Sequence, residues 1–88
     1  MLENFITWMR VQKNYANNTI TNYTRTMEQF DNFLKENTED VSLETPEKIT
    51  QHLINCFALQ ENHSGNKEKT TNNKLAGIKV FLRYCMIE

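Results

Sequence analysis

The chain has 88 residues, 39% of them hydrophobic, with five Phe, three Tyr and one Trp, and a formal net charge of −1. That length allows one small domain, with enough apolar material for a core that needs no metal or disulfide staple. No apolar run approaches the ~20 residues of a membrane span, so the chain is expected to be soluble and cytoplasmic, and its charge sets it apart from strongly basic nucleic-acid binders.

In chain order, residues 2–13 read as a first helix, with Leu2, Phe5, Ile6 and Met9 on one side and Trp8, Val11 and Tyr15 in an adjacent stripe. Residues 14–18 form an amide-rich break. A second helix follows over residues 19–35, where Ile20, Tyr23, Met27, Phe30 and Leu34 recur at spacings of three and four. Residues 37–44 read as an acidic loop. Thr45-Pro46 then predicts a helix start, with Thr45 as N-cap and Pro46 at the first helical position, where a missing N–H is harmless. This third helix is expected to bury Ile49, Leu53, Cys56 and Phe57 and to end near Leu59. A polar loop with Gly65 covers residues 60–68, and a fourth helix runs over residues 70–86 with Leu75, Ile78, Leu82 and Cys85 on one face. No stretch alternates with period two, so the expected fold class is an all-α bundle of four helices.

Two segments share a plan: Asn18-Thr19-Ile20-Thr21-Asn22-Tyr23 and Lys69-Thr70-Thr71-Asn72-Asn73-Lys74-Leu75. Each opens a helix with hydroxyl and amide residues suited to N-caps, and such helix starts can also receive a backbone phosphate. Charge is sorted along the chain. Glu28, Asp31, Glu36, Glu39, Asp40, Glu44 and Glu47 outnumber Lys35 and Lys48 in the middle, whereas Lys67, Lys69, Lys74, Lys79 and Arg83 face only Glu68 near the end. One face is thereby made attractive to a polyanion. The fourth helix also has a small second face of Asn73, Ala76, Gly77 and Val80, with Tyr84 beside it. A glycine inside a helix costs roughly 1 kcal/mol relative to alanine, so a close contact at Gly77 is expected to offset it.

Catalytic signals are missing. Cys56 and Cys85 lie in apolar series without zinc-ligand spacing, and without a secretory segment they are expected to be reduced core residues. His52 and His63 read as surface or loop residues, with no cysteine partner close in sequence and no H-E-x-x-H pattern. The carboxylates of the loop around residues 36–47 have nothing to desolvate them, so acid–base duty is not expected. The chain is therefore expected not to be an enzyme and to need no metal or cofactor.

Phe5-Ile6-x-Trp8-Met9, followed by Asn18-Thr19-Ile20-x-x-Tyr23-x-x-x-Met27-x-x-Phe30-x-x-Phe33-Leu34, resembles the opening of the core-binding, SAM-like domain of phage integrases and other tyrosine recombinases. Pro46-x-x-Ile49 and Leu53 fit its middle helix, and Thr71-x-Asn73-x-Leu75-x-x-Ile78-x-x-Phe81-x-x-Tyr84 is similar to its last. The resemblance implies an orthogonal bundle of four to five helices that clamps one side of double-stranded DNA. Residues 1–88 would be a single core-type domain, a fragment of a longer integrase whose catalytic domain lies beyond Glu88. The family's His-x-x-Arg is missing here, since His52 is followed three residues on by Asn55 and His63 by Asn66.

Carried onto this sequence, the resemblance implicates Lys67, Lys69 and Asn73 around the last helix start, with Thr70 and Lys74 beside them. At the start of the second helix it implicates Thr19, Asn22 and Arg25. Where some members carry another lysine one turn on, this chain has Gly77. Lysines would hold phosphates, and asparagine can pair with adenine in the major groove. Other recombinase protomers are expected partners on DNA, with a monomer expected in its absence. The rival reading is a helical protein-interaction module, in which Trp8 and Val11 with the Ala76–Gly77–Val80 face receive a partner helix.

Overall fold

The computed structural model describes residues 2–65 and 67–87, and of Ile87 only the backbone. Asn66, in the predicted second loop, lies outside the described residues. Four α-helices follow one another: α1 (Leu2–Val11), α2 (Asn17–Asn37), α3 (Gln51–His63) and α4 (Glu68–Ile87), with a 3-10 turn at Pro46–Lys48 between α2 and α3. Among the described residues there is no strand, and no helix is long and apolar enough to cross a membrane. The domain is a slab of 34 × 29 × 17 Å. Its thin dimension is under two helix diameters of ~10–12 Å, so every helix keeps a solvent face.

The core follows the helical spacing. Phe5, Trp8 and Met9 come from α1, Ile20, Met27, Phe30, Phe33 and Leu34 from α2, Phe57 from α3, and Ile78 and Phe81 from α4. Two aromatic groups organise it. Phe5 meets Phe81 edge-on at 5.1 Å and Tyr84 at 5.3 Å, joining α1 to α4. Phe57 meets Phe30 at 5.1 Å and Phe33 at 5.4 Å, joining α3 to α2. Val11, in the stripe adjacent to the first, is 67% exposed because α1 ends there. Cys56 and Cys85 are unbonded and half-buried, and burial, with the Glu47 carboxylate adding to it, pushes the Cys85 thiol above its ordinary value.

Helix boundaries depart from expectation for local reasons. The amide-rich break works through Asn14, which takes the left-handed conformation (φ 53) that asparagine tolerates after a helix end. α2 begins two residues early, at Asn17, behind Ala16, and no side chain caps it. Thr19 is therefore inside the helix and not its cap. Thr45-Pro46 starts the 3-10 turn rather than α3, and Ile49 then returns to extended backbone (ψ 119). The cap of α3 is Thr50, whose Oγ1 accepts from the Leu53 N–H at 3.2 Å. α3 continues past Leu59 to His63, and Gly65 closes it with φ 91. α4 starts at Glu68, so Thr70 and Thr71 lie within it and not at its cap.

The acidic connection between α2 and α3 is anchored. Leu43 is buried, and its N–H donates to Asp31 Oδ1 at 3.1 Å. Thr38 Oγ1 donates to the Leu34 carbonyl at 2.6 Å, and Lys48 pairs with Asp40 at 3.1 Å.

Gly77 has the close neighbour its position called for. A Cβ there would lie 3.0 Å from Tyr23 Cδ1 and 3.4 Å from its Cγ, so the ring lies directly on the α4 backbone. Replacing Gly77 by alanine sets a helix-propensity gain of about 1 kcal/mol against a ring shift of a few tenths of an ångström, and thermal melts should register little net change. Gly77→Leu cannot be accommodated that way and should cost about 1–3 kcal/mol in the same melts.

Candidate nucleic-acid interface

A groove of about 440 Å³ opens between α2 and α4. Its α2 wall is Thr19, Asn22, Tyr23, Arg25, Thr26 and Gln29, and its α4 wall is Thr70, Asn73 and Lys74. The spacing explains the α2 wall: Thr19, Asn22, Thr26 and Gln29 follow one another at three or four residues and so share one stripe. No carboxylate lines the groove. Glu68, two positions before Thr70, projects from a direction about 200° away around α4.

Of the residues singled out in the sequence, Thr19, Asn22, Arg25, Thr70, Asn73 and Lys74 converge on this groove. Lys67 and Lys69 do not line it; both are exposed beside the start of α4. Among the described residues, the side chains of Asn22, Arg25, Gln29 and Asn73 have no intramolecular hydrogen-bond partner, so their donors and acceptors face solvent. The groove hydroxyl of Thr26 is committed to its own helix, donating to the Asn22 carbonyl at 3.0 Å.

Lys74 differs from the other cations of α4. Its Nζ lies 2.9 Å from Glu61 Oε2 on α3, and the two side chains are only 15% and 13% exposed. Next to this pair, the buried Thr71 donates from Oγ1 to Asn62 Oδ1 at 2.7 Å. These contacts fasten the end of α3 to the start of α4.

Tyr23, Thr26 and Gln29 complete the groove but were not anticipated there. Tyr23 has core spacing, yet it is half-buried because it covers Gly77 and forms a wall, with Tyr15 edge-on at 6.1 Å. Extending the Thr19–Asn22 stripe by two turns would have found Thr26 and Gln29. The histidine reading also needs amendment. Cys56 is one helical turn from His52, and its Sγ lies 3.6 Å from His52 Nε2. Among the described residues, no three His, Cys, Asp or Glu side chains gather in a way that could hold a metal.

The smaller face of α4 is only partly free. Gly77 is covered by Tyr23, and Trp8 is buried beneath Tyr84 at 5.2 Å, with Lys13 Nζ 5.6 Å from its ring centre. A shallow depression of about 340 Å³ remains beside Trp8, Val11 and Tyr84.

The all-α bundle, with its polar groove between α2 and α4, belongs to the phage integrase, N-terminal SAM-like domain family, whose profile it matches over residues 2–88. What the chain represents of that family is its N-terminal SAM-like domain, not its catalytic domain. The chain is similar to tyrosine recombinase XerC of Bacillus subtilis (strain 168), with 24% identity over 84 residues, covering 96% of this chain and 26% of that protein. Tyrosine recombinase XerC of Bacillus licheniformis is similar to the same degree, 24% over 84 residues. The chain spans about a quarter of the length of these curated relatives, 26% in each case. No solved structure matches it.

Proposed function

We propose that this domain binds double-stranded DNA through the α2–α4 groove, as the core-binding half of the clamp of a phage-type or mobile-element integrase. A separate catalytic domain would close the other side of the duplex and exchange strands through a covalent phosphotyrosine, in the cytoplasm. The observation that carries the reading is the convergence of Thr19, Asn22, Arg25, Thr70 and Asn73 on one groove that no carboxylate lines. Arg25 supplies a phosphate contact, Asn22 and Asn73 present amides that can pair with adenine, and Lys67 and Lys69 hold the backbone at the groove's edge. The uncapped start of α2, with no acid in its first turn, leaves the positive end of the helix dipole open beside Thr19.

Few positive charges act here, so the isolated domain should bind weakly and with a strong dependence on salt. Titrating a short duplex into isotope-labelled domain at low salt should shift backbone amides in residues 17–25 and 67–79, and added salt should reverse the shifts. Replacing Lys67 and Lys69 by alanine together should lower affinity and reduce the log–log salt slope by about 1.8, at about 0.9 per phosphate. An unchanged slope would remove both lysines from the interface.

The depression beside Trp8, Val11 and Tyr84 favours a second reading, contact with a neighbouring recombinase protomer on the same DNA. The simple partner-helix module is less well supported, because Tyr23 already occupies the Gly77 surface it would need. Silence of the groove amides toward DNA, with the fold intact, would turn the assignment toward protein interaction.

A further inference from the structure

We infer that Glu61 is an internal competitor for DNA phosphate, compensating the charge of Lys74 at the edge of the groove so that the pair adds nothing to DNA affinity in the native domain. The inference rests on the DNA-binding reading of that groove. Lys74 lines the groove, whereas Glu61 does not, so the carboxylate sits behind the ammonium and compensates it from the protein side. The 2.9 Å separation and the low exposure of both side chains remove most of the solvent screening that would let a phosphate trade places with the carboxylate. Glu61 has little freedom to withdraw, because the neighbouring Thr71–Asn62 hydrogen bond fixes this end of α3 on α4 at 2.7 Å. Among the described residues, Lys67, Lys69, Lys79 and Arg83 have no ion pair, so Lys74 is the single α4 cation neutralised in this way. A phosphate approaching it would meet a carboxylate a few ångströms away, and each charge cancels what the other would contribute.

The test measures duplex affinity against salt for the domain and for Glu61→Gln, Lys74→Gln, the Glu61→Gln/Lys74→Gln double variant and Arg25→Ala, with each fold checked by circular dichroism. Glu61→Gln frees one cation, so affinity at 0.1 M salt should rise about eightfold and the salt slope should steepen by about 0.9. Lys74→Gln should weaken binding by leaving the carboxylate uncompensated. The double variant, neutral where the native pair is neutral, should match the native affinity and slope. If the double variant instead binds weakly and with a shallower slope, Lys74 contacts phosphate despite Glu61 and the inference fails. An unchanged slope in Glu61→Gln overturns it as well. Should either single variant fail to fold, the double variant, which leaves no lone charge, still decides between these outcomes. Arg25→Ala separates the two levels: if it leaves DNA binding untouched, the groove reading itself has failed, whatever the other variants do.

Discussion

Phe57→Ala should destabilise the domain by about 3–5 kcal/mol. Phe57 is the only buried residue of α3, and its ring supplies both aromatic contacts to α2, at 5.1 and 5.4 Å from Phe30 and Phe33. At roughly 0.05–0.15 kcal/mol per residue, a domain of this size has about 4–13 kcal/mol in total, so the variant approaches the limit of folding. Tm should fall by roughly 12–40 °C at 4–8 °C per kcal/mol. Leu59→Ala, two residues on but 58% exposed, should change stability by under about 0.5 kcal/mol. Urea unfolding of both variants makes the comparison. A small effect at Phe57 would mean that α3 is held mainly by its polar ties to α4, namely Thr71–Asn62 and Lys74–Glu61.

The double variant Arg25→Ala/Asn73→Ala should weaken DNA binding roughly fortyfold or more at 0.1 M salt. One phosphate contact contributes about eightfold under these conditions, and one base contact contributes about 1–3 kcal/mol, or at least fivefold. Arg25 is the one groove-lining cation not engaged in an ion pair among the described residues, and Asn73 faces it from the opposite helix. The single variants should differ in kind. Arg25→Ala should reduce the salt slope by about 0.9, while Asn73→Ala should leave the slope alone and alter sequence preference. Both side chains are exposed, so thermal stability should hold within about 0.5 kcal/mol and the affinity loss can be read directly. Loss of binding with an unchanged slope in Arg25→Ala would take the guanidinium off the phosphates.

The helices were legible wherever apolar spacing carried them. Ile20, Met27, Phe30 and Leu34 define α2 almost unaided, and the same spacing placed Ile78 in the core. Helix ends were harder, because several residues compete for the same role. Thr45 and Thr50 both resemble caps, and Pro46 drew the choice to the first, where the chain makes only a 3-10 turn. In the groove, the shared hydroxyl- and amide-rich helix openings drew attention to both walls, and the family resemblance picked out Thr19, Asn22 and Arg25 on one and Asn73 on the other. The Lys74–Glu61 pair was not legible, since the two residues are thirteen apart in sequence across the α3–α4 connection and each alone reads as a solvated charge. Tyr23 was misjudged for a related reason: periodicity reports that a residue turns inward, not that a glycine opposite leaves it standing at a groove wall.

On the proposed DNA-binding reading, the length of α2 bears on the kinetics of encounter with the duplex. Its 21 residues carry the groove in the first half and lead to the anchored acidic connection at the far end. At ~1.5 Å per residue, Arg25 stands about 18 Å from Asn37 at the end of the helix. That is about two Debye lengths at physiological salt, so a bound duplex is nearly blind to the acidic end. Below about 0.01 M salt, where the screening length reaches about 30 Å, the far carboxylates come into range and oppose the approach. Association should therefore stop accelerating as salt is lowered further, a ceiling set by the length of a single helix.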